Sequence, residues 1–398
     1  IQTKDLDSYL DVARSYLEVK VRVRKVADDA ANTSNSLDYS MPLGLSMFSR
    51  LQYLIDGQLV DEVNYLPHAQ AIKGLTELSK DYADGTAYNF FPDTNTSDIN
   101  STNTQPYKSI KAVGASDAIA DDDRALIGDN DTFNKGHAQR NALVGGDKFI
   151  TMVVPLKHIV GFVSMNKALR GVRHEIRLTK EEDNNTVLNS DGSNAMRVSF
   201  TNGKISWWVP VVKPSLSVGS SIESKLMSGA RQKLNWESFQ MYRNNASTAQ
   251  TNTWRITTSQ ARPTKIIVAI QEAAQDNAQA KNPLAYHNLA ATRIHLRVNN
   301  KQYPQEEYTM DYANDEYARP FLALQRYSNM NHDTDTGNLI NFANFKSIYP
   351  LYYFDLRATD DSVFAANSGA ADLEVRVSFA STPNSYHMYA YVCSEREA

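Results

Sequence analysis

The sequence predicts an all-β chain: two tandem antiparallel β-sandwiches that meet near residue 217, with short helices and long loops. Three observations predict it. Apolar and polar residues alternate along many short segments, the two-residue period of strands. Pairs such as Asp56-Gly57 punctuate those segments with tight-turn chemistry. Strand phrases of the first half recur in the same order in the second half.

Composition agrees. At 398 residues, the chain suits two β units of about 200 residues each better than one small domain. Hydrophobic residues make up 42% and charged ones only 22%, enough apolar material for real cores. The 21 tyrosines and 14 phenylalanines favour strands and broad buried contacts. Net charge is −4 with no block of Lys or Arg, which argues against dense wrapping of nucleic acid, a basic packing arm or specific nucleic-acid recognition. The lone cysteine, Cys393, can form no internal disulfide, so a reducing compartment of synthesis is expected. Apolar runs such as 209–212 and 351–354 are too short to cross a bilayer. No basic-then-apolar leader opens the chain, and its start at Ile1 rather than Met leaves a removed leading segment open.

Element by element, residues 17–26 alternate Val19, Val21 and Val23 with Lys20, Arg22 and Arg24, a strand with valines on one face and cations on the other. Those cations face solvent in the simpler reading and a neighbouring subunit or genome in the other. Asp56-Gly57 joins two apolar runs in a hairpin, because both central residues of a type I′ turn need positive φ. Leu66, Ala69, Ile72, Leu75 and Leu78 then recur at helical spacing, with Pro67 in the first turn. Residues 84–146 dissolve into Asp, Asn, Thr, Ser and Gly and read as a long surface excursion. Strands resume at 149–156, 174–179 and 205–212, where Pro210 implies an edge or a bulge. Pro214 and the Ser/Gly-rich residues 215–221 place the boundary, giving units 1–216 and 217–398.

The second unit restates the first. Ser49-Arg50-Leu51-Gln52-Tyr53-Leu54-Ile55-Asp56-Gly57 has its counterpart in Thr292-Arg293-Ile294-His295-Leu296-Arg297-Val298-Asn299-Asn300. Each is followed by an acidic, Tyr-containing stretch of helical character, 61–82 and 306–324. His174-Glu175-Ile176-Arg177-Leu178-Thr179 likewise matches Leu373-Glu374-Val375-Arg376-Val377-Ser378, and each precedes a final aromatic strand, 205–212 or 386–392. The interval from Arg50 to Arg177 exceeds that from Arg293 to Arg376, as an excursion in the first copy requires. Two consecutive β units with many short strands point to jelly-roll sandwiches, eight-stranded and antiparallel.

With these phrases, the chain resembles the double jelly-roll major capsid proteins of polinton-like viruses and Maverick/Polinton elements, a lineage shared with virophages, adenoviruses and nucleocytoplasmic large DNA viruses. The resemblance rests on Ser8-Tyr-Leu-Asp-Val-Ala-Arg-Ser-Tyr-Leu-Glu-Val-Lys-Val and Phe48-Ser-Arg-Leu-Gln-Tyr-Leu-Ile-Asp-Gly-Gln-Leu-Val. Further along it rests on Asn282-Pro-Leu-Ala-Tyr-His-Asn-Leu, Tyr349-Pro-Leu-Tyr-Tyr-Phe-Asp-Leu and Asp372-Leu-Glu-Val-Arg-Val. It implies a homotrimer that presents six similar units as a pseudo-hexameric capsomer. Neighbouring capsomers, penton and minor capsid proteins would be the partners in an icosahedral virion shell assembled inside the host cell. Residues 84–146 would form a tower of loops.

An assembly role also suits the aromatic content. Trp207 and Trp208 are adjacent, so in a strand one faces the core and the other faces out, toward a neighbour or a cover within the chain. Trp236 and Trp254 are expected in the second core.

Enzyme chemistry finds little support. Gly145-Gly146-Asp147-Lys148 lacks the spacing and hydroxyl of a phosphate loop, His174-Glu175 is no zinc motif, and no Gly-x-Ser-x-Gly elbow occurs. The eight histidines (68, 137, 158, 174, 287, 295, 332 and 387) include no pair at metal-ligand spacing. Asp129, Asp131 and Gly136 hint at a calcium loop, but Asn134 stands where Gly is needed and Arg140 where the bidentate Glu belongs. The acidic runs Glu181-Glu182-Asp183 and Asp121-Asp122-Asp123 read as solvated charge. The sequence therefore predicts no catalytic, metal or cofactor residues. A carbohydrate-binding β-sandwich, lectin or spike-like, is the alternative, since exposed Tyr and Trp can stack on sugars. A glycosidase would need two carboxylates brought together by distant strands.

Overall fold

Alternation decides which way each strand faces. In strand β2 (Tyr16–Lys25), Leu17, Val19, Val21 and Val23 are buried, and Glu18, Lys20 and Arg22 between them are half-buried. A computed structural model of the protein describes residues 1–3, 7–31, 37–39, 44–85, 90–94, 134–144, 148–165, 167–189, 195–229, 234–257, 262–328, 337–357 and 371–397.

Strands β1 (Tyr9–Leu10), β2, β3 (Leu37–Tyr39), β4 (Phe48–Ile55), β5 (Gln58–Asn64), β6 (Ile150–Pro155), β7 (His174–Lys180), β8 (Val187–Asn189), β9 (Met196–Trp208) and β10 (Val211–Val212) build the first half. Its main sheets run β6-β2-β9 and β5-β4-β7, with short pairs β3-β8 and β1-β10. The second half holds β11 (Asn235–Arg243), β12 (Thr251–Thr257), β13 (Pro263–Glu272), β14 (Ala291–Val298), β15 (Lys301–Thr309), β16 (Leu351–Asp355), β17 (Asp372–Phe379) and β18 (Tyr386–Glu397). These eight form two four-stranded sheets, β11-β18-β13-β16 and β12-β17-β14-β15, all antiparallel. That interleaved order is the double Greek key of a jelly roll. The first roll is slimmer, with three strands in each main sheet among the described residues. Gln2 makes a single bridge to Glu175 on β7, at the place where Arg255 of β12 meets Glu374 of β17.

The repeated phrases hold the same register in both rolls. Arg50 pairs with Thr179, Gln52 with Arg177 and Ile55 with His174. Their counterparts pair identically: Arg293 with Ser378, His295 with Arg376, Val298 with Leu373. The ladder slips at the matching place in each, between Phe48 and Arg50 and between Ala291 and Arg293. The turns match too: Asp56 and Gly57 have φ of 47° and 81°, Asn299 and Asn300 of 46° and 70°. These are the two positive-φ positions a type I′ turn demands, and Asp, Asn and Gly tolerate them best. Arg50 reaches Glu62 across one hairpin, and Arg293 reaches Glu307 across the other.

Helix α1 (Leu66–Glu77) carries Pro67 in its first turn, and Leu66, Ala69, Ile72 and Leu75 are buried. Residues before it differ from the helical reading of 61–82, because alternation keeps Asp61 and Val63 in β5. The same holds for 306–324: β15 continues to Thr309, and helix follows only at Ala318. Helix α2 spans Lys80–Gly85. Most of the 84–146 stretch, including residues 95–133, lies outside the described residues, but its two ends pack. Phe90 is buried, and helix α3 (Lys135–Val144) follows. Thr94 N–H donates to Asn134 Oδ1 at 3.3 Å, which also accepts from His137 N–H at 3.1 Å, so one asparagine closes the neck and caps α3. Helix α4 (Asp183–Thr186) precedes β8. Pro210 interrupts the expected 205–212 strand, ending β9 at Trp208 and leaving β10 as a separate two-residue strand. The Ser/Gly-rich 215–221 stretch opens helix α5 (Leu216–Met227) instead of a loop. Helices α6 (Ala318–Tyr327) and α7 (Phe342–Ser347) lie between β15 and β16.

Candidate assembly surfaces and the seam between the rolls

The adjacent tryptophans separate as strand geometry requires. Trp207 is half-buried against the core, while Trp208 stays 50% exposed and donates its indole N–H to Glu18 Oε2 at 2.7 Å. Beyond it, exposed apolar side chains continue through Val211, Val212, Leu216, Val218 and Met227. Helix α5 is exposed along nearly all its length, so tertiary packing within the chain does little to hold it. Trp236 is buried in the core and meets Phe162 of the first roll edge-on at 5.1 Å, so it serves the seam as well as its own roll. Trp254 is half-buried on β12. The cations of β2 lie against an aromatic ring: Lys20 and Arg22 sit 4.8 and 5.0 Å from the centroid of Phe149.

Polar groups stitch the rolls together. Asp61 on β5 accepts from the Ser238 hydroxyl on β11 and from Phe162 N–H, and burial raises its pKa. Gly161 lies against β11 so closely that a Cβ there would meet Glu237 O at 2.2 Å. His68 stacks on Tyr389 with centroids 3.9 Å apart, and burial holds its pKa down to about 3. Within the second roll, Arg243 donates to Asp276 at 2.6 Å and to His387 Nε2 at 2.7 Å, which fixes that nitrogen as an unprotonated acceptor. Deeper, Arg140 is fully buried, donating to Asp93 Oδ1 at 2.5 Å, and Asn282 of the second roll donates to the other Asp93 oxygen. None of these pairings has a sequence signal, since the partners lie far apart in the chain. Two clefts open along the seam, of about 840 Å³ beside Arg243 and about 750 Å³ beside Lys73.

The acidic runs and the calcium hint form no site among the described residues. Asp183 accepts from Lys180 Nζ at 2.9 Å and from Val198 N–H at 3.1 Å, a structural use. Asp121, Asp122, Asp123, Asp129 and Asp131 lie outside the described residues. Asn134 and Arg140 are committed to the α3 cap and to Asp93, and Gly136 packs on the Pro92 carbonyl. No group of three or more potential metal ligands gathers among the described residues. Cys393 is buried, and burial raises its thiol pKa far above the ordinary range. No described helix is long and apolar enough to cross a membrane.

Comparison with solved structures returns viral shell proteins. The Faustovirus major capsid protein matches with a TM-score of 0.58 at 9% identity, over 100% of this chain and 87% of that one. The Sputnik virophage structure matches at 0.53 and 14% identity (100% and 82% covered), and the mavirus major capsid protein at 0.52 and 10% (100% and 84%). At such identities the likeness speaks for the fold. Comparison with curated proteins finds no match by sequence. The family model for the double jelly roll-like domain matches residues 126–394, most of the chain. With two antiparallel rolls in one chain, a copied register between them and that match, the protein belongs to the double jelly roll-like domain family.

Proposed function

We propose that the protein is a major capsid protein of the polinton-like type, three copies of which form a pseudo-hexameric capsomer of an icosahedral DNA virus shell. The observation that carries this reading is the exposed apolar run from Trp208 through Met227, at the junction of the two rolls. Monomers rarely leave such a run in water, and burying it between copies gives a threefold assembly a lateral contact. The matched registers support the pseudo-sixfold part, since two similar rolls per chain give six similar units in a trimer. Helix α5 spans the proposed boundary near residue 217, and every described sheet lies wholly to one side of it. Residues 84–146 are proposed as the tower; capsomer neighbours, penton and minor proteins are the proposed partners, in virions assembled inside the host cell. Native mass measurement of the expressed chain tests the proposal. A stable species near three times 44.6 kDa, with hexagonal tiles by electron microscopy, is the expected result. A strict monomer would overturn it, and one retained on glycan-coated beads would favour the carbohydrate-binding alternative.

A further inference from the structure

The cleft of about 750 Å³ lies on the seam between α1, the turn after β6, and strands β11, β13 and β18. We propose that it is an anion-binding site for a phosphate-class oxyanion. Four cations line it: Arg14, Lys73, Lys157 and Lys265; its carboxylates are Glu77 and Glu237. Both carboxylates are already engaged. Glu237 accepts Lys265 Nζ at 2.8 and 3.0 Å, and Glu77 accepts the Tyr327 hydroxyl at 2.5 Å while standing 4.0 Å from Lys73. Arg14 has Asp11 at 3.5 Å. Lys157 has no carboxylate partner among the described residues. With Asp11 counted beside Arg14, three of the four cations have a carboxylate close by, and Lys157, exposed at the rim, is the positive charge left over.

Two of the lysines, Lys73 and Lys265, are also held in place. Lys73 Nζ sits 4.4 Å from the Phe239 ring centroid and Lys265 Nζ 5.5 Å from that of Tyr327. Their side chains are only 14% and 21% exposed, so water and salt screen them less than surface lysines. His158, on the same wall, registers the field. Burial lowers its pKa to about 4, and the charges of Lys73 and Lys157 push in the same direction. A compact oxyanion would neutralise Lys157, add a partner to Lys73 beside Glu77, and fit within the cleft.

The shared chemistry is the phosphate group, either free or as the backbone of a nucleic acid. Isothermal titration of the full chain with inorganic pyrophosphate at low salt is the test. Saturable binding is expected, about tenfold weaker in Lys157→Glu. Lys301→Glu, an exposed charge on β15 outside the cleft, should leave the affinity unchanged. Displacement of pyrophosphate by a short oligothymidylate would assign the site to a nucleic-acid backbone; failure to displace it would assign it to free phosphate. Absence of saturable heat up to millimolar pyrophosphate, or equal affinity in Lys157→Glu with an unchanged melting profile, would overturn the site.

Discussion

Asp61 of the first roll holds Ser238 of the second: the carboxylate accepts the serine hydroxyl at 2.7 Å, while its other oxygen takes Phe162 N–H at 3.1 Å. With Asp61 only 2% exposed, truncation would strand two buried donors. Asp61→Ala is therefore expected to cost ~2–3 kcal/mol. Asp61→Asn keeps an acceptor and removes a buried charge, so its loss should stay within about 1 kcal/mol. Denaturant titration separates the two, and equal losses would count against the bridge.

Acid should loosen the fold through its histidines. Burial lowers His68 from 6.5 to about 3, and His158 and His174 from 6.5 to about 4. The unfolded chain takes up these protons near 6.5, the folded chain only well below. Stability is thus complete above 6.5 and declines as pH falls toward those folded values, by at most ~1.4 kcal/mol per pH unit for each histidine. Melting temperatures between neutral pH and about pH 5 test this; a flat profile would contradict it.

Arg140 is an ion-pair partner without solvent, since its side chain is 0% exposed and that of Asp93 5%. Arg140→Met leaves Asp93 buried beside Asn282 with its countercharge gone, an expected cost of ~3–5 kcal/mol. Changing both, Arg140→Met with Asp93→Leu, should recover much of that loss. A double mutant no better than the single change would show that packing, not charge, dominates there.

Trp207 and Trp208 should part company under mutation. Trp207→Ala opens space against the first core and is expected to cost ~2–3 kcal/mol. Trp208→Ala removes a side chain that is half in water, so stability should move by about 0.5 kcal/mol or less, while association between copies weakens. Melting curves and sedimentation of the two variants check this together. Unchanged association of Trp208→Ala in sedimentation would remove this residue from the proposed lateral contact.

What the sequence disclosed follows the range of each interaction. The hairpin at Asp56-Gly57 and its copy at Asn299-Asn300 were legible because turn chemistry is written in adjacent residues. So was the division of labour between Trp207 and Trp208, which needs only the pleat. Helix α3 was not, because its buried residues include Arg140 and His137, and a search for apolar period passes over polar cores. Helix α5 was masked by its Ser and Gly content. The seam was invisible for a different reason: Asp61 and Ser238, or Asp93 and Asn282, meet only after both rolls have formed.

The neck formed by Thr94 and Asn134 makes this chain a natural host for grafts. The chain leaves at Thr94 and returns at Asn134 within one hydrogen bond, so residues added between them lengthen a ring that is already closed. The closure penalty grows by about 0.6 kcal/mol for each doubling of length. A flexible cargo peptide added there should therefore cost the fold little through closure entropy.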